Sequence, residues 1–417
     1  GAGGGIYDYG TLTINGGSIT GNTALKGGGI FEYYRTATVT INGASITNNS
    51  ATDEGGGIHM QLTYSSNVTI CGGSTISNNS AVNKGGGIYY VEGTLKIKGK
   101  VTISGNTKGE DPNNVDLSSG KRITIDDNLD SETRIGVYSG TINAFPRYIT
   151  SGLSGKGVYS NFTSDNSSYA VRPYDDNNAE ACLKRINSAT VSMSGWTYGS
   201  TASNPSVSNY SGSGAVTYTY KAEGASVFSN TKPTNAGTHT VKATIAETTG
   251  YTAGEATTTY TVAKKSITIT PNDGQSKVYG TNNPVLTYTA TSLASGDSWT
   301  GALGRAAGEN VGNYSINQGT LAPTNSTNYT INFINTKQFA ITQKSVTISG
   351  ITASNKTYDG STSATLVYTN ATFTGKVGSD DLSVSATGQF ASKDVGTGKT
   401  VTISALVLAG ASAGNYN

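Results

Sequence analysis

The chain has 417 residues, including 55 Gly and only 8 Pro, and its charged residues amount to 13% with a net charge of +2. That balance, with no Lys/Arg run, excludes a nucleic-acid or membrane-surface patch as the basis of function. No stretch approaches the ~18 apolar residues of a membrane span, so no membrane insertion is expected, and no signal peptide is recognisable. The 35% hydrophobic content is concentrated in alternating Val, Ile, Tyr and Thr, which is strand chemistry and not disorder. The length predicts several domains.

From the N-terminus, one phrase recurs four times: Gly3-Gly4-Gly5-Ile6, Gly27-Gly28-Gly29-Ile30, Gly55-Gly56-Gly57-Ile58 and Gly85-Gly86-Gly87-Ile88, spaced 24, 28 and 30 residues apart. Each is followed by a second signature ending in Asn22, Asn49, Asn79 or Asn106. Self-similarity at this period predicts stacked units, each burying its apolar side against the next. Without helical spacing, each repeat reads as one coil of a parallel β-solenoid. Ile6, Ile14 and Ile19 recur as Ile30, Ile41 and Ile46, then Ile58, Ile70 and Ile76, then Ile88, Ile97 and Ile103. Stacked about 4.8 Å apart, they predict three apolar columns inside the tube. The four Asn are expected at one corner, in the left-handed region and hydrogen-bonded coil to coil. The Gly triplets fit a sharp corner with positive φ and close backbone approach. A calcium-binding β-roll is excluded, because Ile6 stands where that motif requires Gly.

After Thr107 the phrase stops, but strand-like segments continue to Glu180–Lys184, and the solenoid is expected to end near Ser188. Residues 161–166 read as a turn. Three units of 70–80 residues follow, with strands every 8–12 residues, the rhythm of small β-sandwiches. The first, 189–263, carries Trp196-Thr197-Tyr198-Gly199 and Asn235-Ala236-Gly237-Thr238. The second, 264–343, carries Val278-Tyr279-Gly280 and Val311-Gly312-Asn313-Tyr314. The third, 344–417, carries Tyr358-Asp359-Gly360 and Gly414-Asn415-Tyr416. The joints are short and not Gly/Ser-rich, so a semi-rigid rod is expected. Gly1 lies inside a repeat and the third unit lacks a closing strand, so the chain reads as a fragment of a longer protein. The fold class is therefore all-β: a parallel β-helix over 1–188, then three tandem small β-sandwich-like modules.

On these residues the chain resembles large bacterial surface adhesins. The repeats are similar to right-handed, pectate-lyase-like parallel β-helix segments. The unit at 189–263 resembles a bacterial Ig-like module, and the next two resemble YGX-type and YDG-type repeat domains. The resemblance implies an extracellular, cell-attached protein with its signal and anchor outside this chain. It does not supply a ligand.

Chemistry is sparse. Asp8 aligns with Glu32, Met60 and Tyr90, so a ladder of carboxylates breaks after two coils, with no Arg or Lys in register. Polysaccharide lyases want clustered carboxylates and a base on one face, and fold analogy does not replace them. No catalytic residue is assigned. His59 and His239 fall in different units without a Cys/His cluster, so no metal or other cofactor is expected, and Asp126-Asp127 or Asp380-Asp381 offer at most adventitious calcium. Cys71 and Cys182 lie too far apart for a disulfide and read as separate buried thiols.

One constellation suggests binding. The residues after each Gly-Gly-Gly-Ile are Tyr7, Phe31, His59 and Tyr89, and strand alternation points them outward if Ile points in. Stacking predicts an exposed stripe of three aromatics and one His, with Tyr9, Tyr33, Tyr34 and Tyr90 nearby. Such a stripe suits an extracellular glycan or a host or matrix protein. Alternatively, the rings only stabilise the solenoid by cross-coil pairing. The expected protein is a monomeric, non-enzymatic adhesin without a nucleic-acid partner. A polysaccharide-degrading enzyme and a purely structural spacer are the other readings.

Overall fold

The computed structural model describes residues 1–33, 37–61, 66–140, 142–174 and 179–417. It is all-β, with 49% strand and 2% helix, and it begins with a parallel solenoid of about six turns. Two compact units are formed. One comprises Gly1–Met193, Asn204–Lys232 and Thr240–Thr259; the other comprises Ser194–Ser203, Pro233–His239 and Tyr260–Asn417. The stretch read as the first module thus contributes to both.

The coil register follows the repeat alignment. Ile6, Ile30, Ile58 and Ile88 pair in parallel and continue through Val115 to Val137. Ile14, Ile41, Ile70, Ile97 and Ile125 form a second column. Ile19, Ile46, Ile76, Ile103 and Ile135 form a third, which ends on Phe162. From the second coil on these side chains are buried, while Ile6, Ile14 and Ile19 of the first coil are half-buried and pack against that core. Burying an Ile side chain fully is worth about 1.5–3 kcal/mol, so the columns dominate the solenoid's stability.

At one corner the Asn ladder forms. Asn22 donates from its backbone N and its Nδ2 to Asn49 Oδ1, at 3.0 and 2.9 Å. Asn49 does the same to Asn79 at 2.9 and 3.0 Å, and Asn79 to Asn106 at 3.0 and 2.8 Å. Asn106 continues to Asn114, both at 2.9 Å, and Asn114 to Asp165 at 2.6 and 2.8 Å. The left-handed conformation belongs to the residue before each ladder Asn: Gly21, Asn48, Asn78 and Gly105 have φ of 72°, 55°, 55° and 69°. A two-donor bond needs the ladder Asn to face the coil below, and the preceding residue makes the bend that turns it there. The Gly triplets carry both roles expected of them. Gly27 has φ of 64°, and a Cβ on Gly28 would stand 2.5 Å from the Gly56 carbonyl oxygen.

The end of the solenoid differs from expectation. Residues 161–166 include the strand Phe162–Ser164, which pairs in parallel with Ile135–Val137 and forms the last rung. Beyond it, Ala181–Arg185 runs antiparallel between Arg147–Tyr148 and Tyr169–Pro173. This antiparallel sheet packs Val171, Ala181 and Leu183 onto the apolar core of the solenoid. Lys184 Nζ is bonded to Glu247 at 2.6 Å, and the backbone N of Asn187 donates to Thr252 Oγ1 at 3.2 Å. Both cysteines are free; Cys182 is buried, and burial pushes its thiol up to about 11. Cys71 is half-exposed, because strand alternation turns the residue after the inward Ile70 outward.

In the second unit, Lys265–Pro271 pairs with Tyr329–Phe333, and Gln338–Thr342 lies between Ser276–Val278 and Gly312–Asn317. Ile269, Ile316, Phe339 and Ile341 form its core. Ser383–Phe390 and Val401–Ala409 make the longest hairpin of the third module.

Candidate binding site

The column Tyr7, Phe31, His59 and Tyr89 is in register, residue against residue. Its rings stack along the tube with centroids 5.3, 5.0 and 5.4 Å apart. The expected exposure is absent from three of the four: Tyr7 is 51% exposed, but Phe31, His59 and Tyr89 are buried. Rings that repeat at the coil spacing cover one another's faces, and residues outside the repeat alignment cover the edges. Tyr33 lies 6.0 Å from Phe31 and 6.4 Å from Tyr7, while Lys84 Nζ donates to the Tyr89 hydroxyl at 3.0 Å. What is exposed is an aromatic patch at the first coils, formed by Tyr7, Tyr9 and Tyr33. Tyr90 points inward and donates to the Gly93 carbonyl at 2.9 Å. Tyr34 lies outside the described residues.

His59 is not a surface titrating group. Its Nε2 is 3.3 Å from Glu54 Oε2, which Lys26 Nζ also reaches at 2.8 Å. Burial depresses its pKa against the pull of Glu54, so the imidazole is neutral at pH 7.

The register of Asp8, Glu32, Met60 and Tyr90 is as aligned, but this column faces the solenoid interior. Glu32 is fully buried, and among the described residues neither carboxyl oxygen has a hydrogen-bond partner. Burial first, and then the neighbouring Asp8 carboxyl, pushes its pKa up to about 9. Glu32 is therefore protonated at neutral pH. Glu32 lies in the core, whereas Asp8, one coil away, is half-buried.

The aromatic column leads to a different site. Beyond Tyr89 it continues in register to Asp116 and then Tyr138. There a cleft of about 650 Å³ opens, lined among others by Lys84, Tyr89, Lys108, Asp116, Arg122 and Tyr138. The Arg122 guanidinium lies 4.3 Å over the Tyr148 ring. Arg147, also lining the cleft, spends its Nη2 on the carbonyls of Ser118 and Lys121 at 3.1 and 2.8 Å, bracing the wall. Asp116 is buried, and burial raises its pKa against the Asn113 bond and the nearby lysines. The cleft thus combines exposed cations with aromatic walls around one recessed carboxyl.

The repeat alignment missed this site because Asp116, Arg122 and Tyr138 follow the last Gly triplet. The available signal was Val115-Asp116-Leu117, an Ile-Tyr-Tyr equivalent whose central residue extends the column. Among the described residues no group of three or more His, Cys, Asp or Glu is placed to hold a metal. Asp380, one of the carboxylates considered for calcium, instead accepts a bond from the Tyr279 hydroxyl at 2.9 Å and another from Tyr416. Asp126 pairs with Lys96 at 3.7 Å.

Solenoid and modules together fit an extracellular repeat protein of the adhesin-like class. Residues 267–339 match the family model of the MBG domain (YGX type), and residues 342–417 match that of the YDG domain. Both matches agree with the module types read from Tyr279-Gly280 and Tyr358-Asp359-Gly360. No curated protein matches the chain.

Proposed function

We propose that the chain is a non-enzymatic adhesin-like protein of a bacterial cell surface, and that its solenoid binds an extracellular acidic glycan in the cleft beyond Tyr89. The observation that carries this reading is the lining itself: Lys84, Lys108 and Arg122 beside Tyr89, Tyr138 and Tyr148. Cations match carboxylate or sulfate groups on a sugar chain, and aromatic walls suit flat sugar faces. A single site of this openness binds weakly and gains strength from many copies on one surface. The MBG and YDG matches support display outside the cell, since tandem small β-modules of these types are what the adhesin resemblance implies.

The test is binding of the chain to a polyuronate and to a neutral glucan of equal length. Lys108→Ala combined with Arg122→Ala should weaken polyuronate binding at least tenfold with the fold retained, and the glucan should bind poorly throughout. Equal binding of both polymers, or no effect of the double variant, removes the cleft from consideration. Turnover of the polyuronate abolished by Asp116→Asn would replace adhesion with catalysis.

A further inference from the structure

The second unit contains one polar joint twice over. At the first occurrence the Tyr198 and Tyr329 hydroxyls both donate to Asp297 Oδ2, at 2.9 and 2.6 Å. Asn328 Oδ1 accepts from the Ala236 backbone N at 2.8 Å, while its Nδ2 donates to Asn235 Oδ1 at 3.1 Å. At the second, Tyr279 donates to Asp380 Oδ2 at 2.9 Å, and Tyr416 donates to the same oxygen. Asn415 Oδ1 accepts from Val311 N at 2.8 Å and its Nδ2 donates to Asn310 Oδ1 at 3.1 Å. The tyrosine pairs meet edge to face at 5.5 and 5.4 Å. Even the glycine after the first tyrosine is matched. Gly199 and Gly280 have φ of 78° and 77°; a Cβ on Gly199 would stand 2.6 Å from Ala294 Cβ, and one on Gly280 would overlap Val377.

One half of this joint is a receiver: Tyr-Gly plus the Asn-Ala or Asn-Val pair. The other half is a donor set: an Asp, and an Asn-Tyr pair in which the Asn ends a 3₁₀ turn, as at Ser326–Asn328 and Ala413–Asn415. The third module carries a receiver that nothing among the described residues fills. Gly360 has φ of 77°, like its counterparts, yet a Cβ there would meet nothing within 4 Å. Tyr358 is 61% exposed and Val395, in the Asp394-Val395-Gly396 counterpart of Asn310-Val311-Gly312, is 86% exposed. Both line one cavity of about 660 Å³. The extra residue, Asp359, is held by Lys356 Nζ and the Ser361 backbone N, both at 2.9 Å. Asp394 retains the acceptor oxygen that Asn235 and Asn310 supply.

We propose that this face of the third module is a docking surface for a further β-module bearing the donor set, an Asp and an Asn-Tyr pair. A second copy of the present chain does not qualify, because both of its donor sets, Asp297 with Asn328-Tyr329 and Asp380 with Asn415-Tyr416, are already engaged. The joint is the unit by which modules of this build couple in series, with each one reading the next through side chains and not through the connecting strand.

The experiment extends the full chain at its C-terminus with a duplicate of residues 331–417, reproducing the connection from Tyr329 into the third module. Amide hydrogen exchange at Val395 is the readout, since the equivalent Ala236 and Val311 amides donate across the joint. Exchange at Val395 should slow at least tenfold on extension. Asn415→Ala made only in the duplicate should restore fast exchange there, and Tyr358→Phe should restore part of it. Unchanged exchange on extension overturns the proposal. So does slowing that survives the duplicate's Asn415→Ala, which would show the added strand alone to be responsible.

Discussion

The two units solve the same problem, joining repeated β-elements, by opposite means. In the solenoid, successive coils pair through their main chains, and each side chain sits against its own equivalent one coil away: Ile on Ile, Asn on Asn, ring on ring. In the second unit one apolar cluster runs from Ile269 and Phe339 to Tyr416, with Val346 and Val377 packed against it, and what recurs beside the apolar contacts is a cluster of polar side chains around Asp297 or Asp380. A solenoid therefore repeats the same contact at every rung, whereas a module joint adds a local polar cluster to its apolar contacts. Mutations should report that contrast directly.

The largest effect is expected inside the Asn ladder. Asn79 is buried and makes four side-chain bonds: it accepts from Asn49 N and Nδ2, and donates to the Ile46 carbonyl and to Asn106 Oδ1. Asn79→Ala leaves these partners buried and unsatisfied, at a cost of about 3–5 kcal/mol. Asn22→Ala, at a half-buried position of the ladder, should cost only about 1 kcal/mol. Urea unfolding of the two variants separates them. Equal losses would mean that the rungs do not act as a stacked series.

Next in size is a pH effect confined to the solenoid. Glu32 has its folded pKa raised to about 9 from an ordinary carboxyl value near 4.5. Between these values the folded state holds a proton that the unfolded state has lost, so stability falls as pH rises through that window. The limiting slope is about 1.4 kcal/mol per pH unit, and some relaxation of the site leaves about 2 kcal/mol between pH 5 and 8. Glu32→Gln should flatten the profile and raise stability at pH 8. A profile for the variant that still falls with pH would place the titration elsewhere.

How far the sequence predicts this molecule also divides along the comparison. The solenoid registers were legible because the Gly-triplet, Ile and Asn landmarks recur in the same order through Asn106 although the coils differ in length, and stacking converts that alignment into contact. Burial of Phe31, His59 and Tyr89 was not, because alternation along a strand gives direction but not cover, and the cover comes from Tyr33 and Lys84 outside the aligned positions. The cleft was hidden for the related reason that its residues fall after the repeats lose their period. In the second unit, Tyr198-Gly199, Tyr279-Gly280 and Asn415-Tyr416 were visible as recurring phrases. Their common partner was not, since Asp297 and Asp380 lie 99 and 101 residues from the tyrosines they bind and carry no motif of their own.

At the joints, Tyr279→Phe removes one hydroxyl donor from Asp380 and should cost about 1–2 kcal/mol. Tyr198→Phe should cost a similar amount at Asp297, because the geometry is the same to within 0.1 Å in ring separation. Chemical denaturation monitored by tyrosine fluorescence measures both. A large difference between them would show that the two joints share a shape but not an energetic role.

The smallest effect is expected at Tyr7, and it decides between the exposed stripe and the cleft. Tyr7 heads the aromatic column but is half-exposed, with Phe31 at 5.3 Å and Tyr33 at 6.4 Å as its ring neighbours. Tyr7→Ala gives up only part of that contact, about 0.5–1 kcal/mol, because half of its surface already faces solvent. Tyr89→Ala removes a ring packed on His59 and bonded to Lys84 at the mouth of the cleft, so it should weaken both folding and polyuronate binding. If binding resides in the cleft, Tyr7→Ala binds polyuronate as the unaltered chain does. A tenfold loss in that variant, with its melting temperature nearly unchanged, would move recognition back to the Tyr7, Tyr9 and Tyr33 patch and leave the cleft's cations as part of the solenoid's surface.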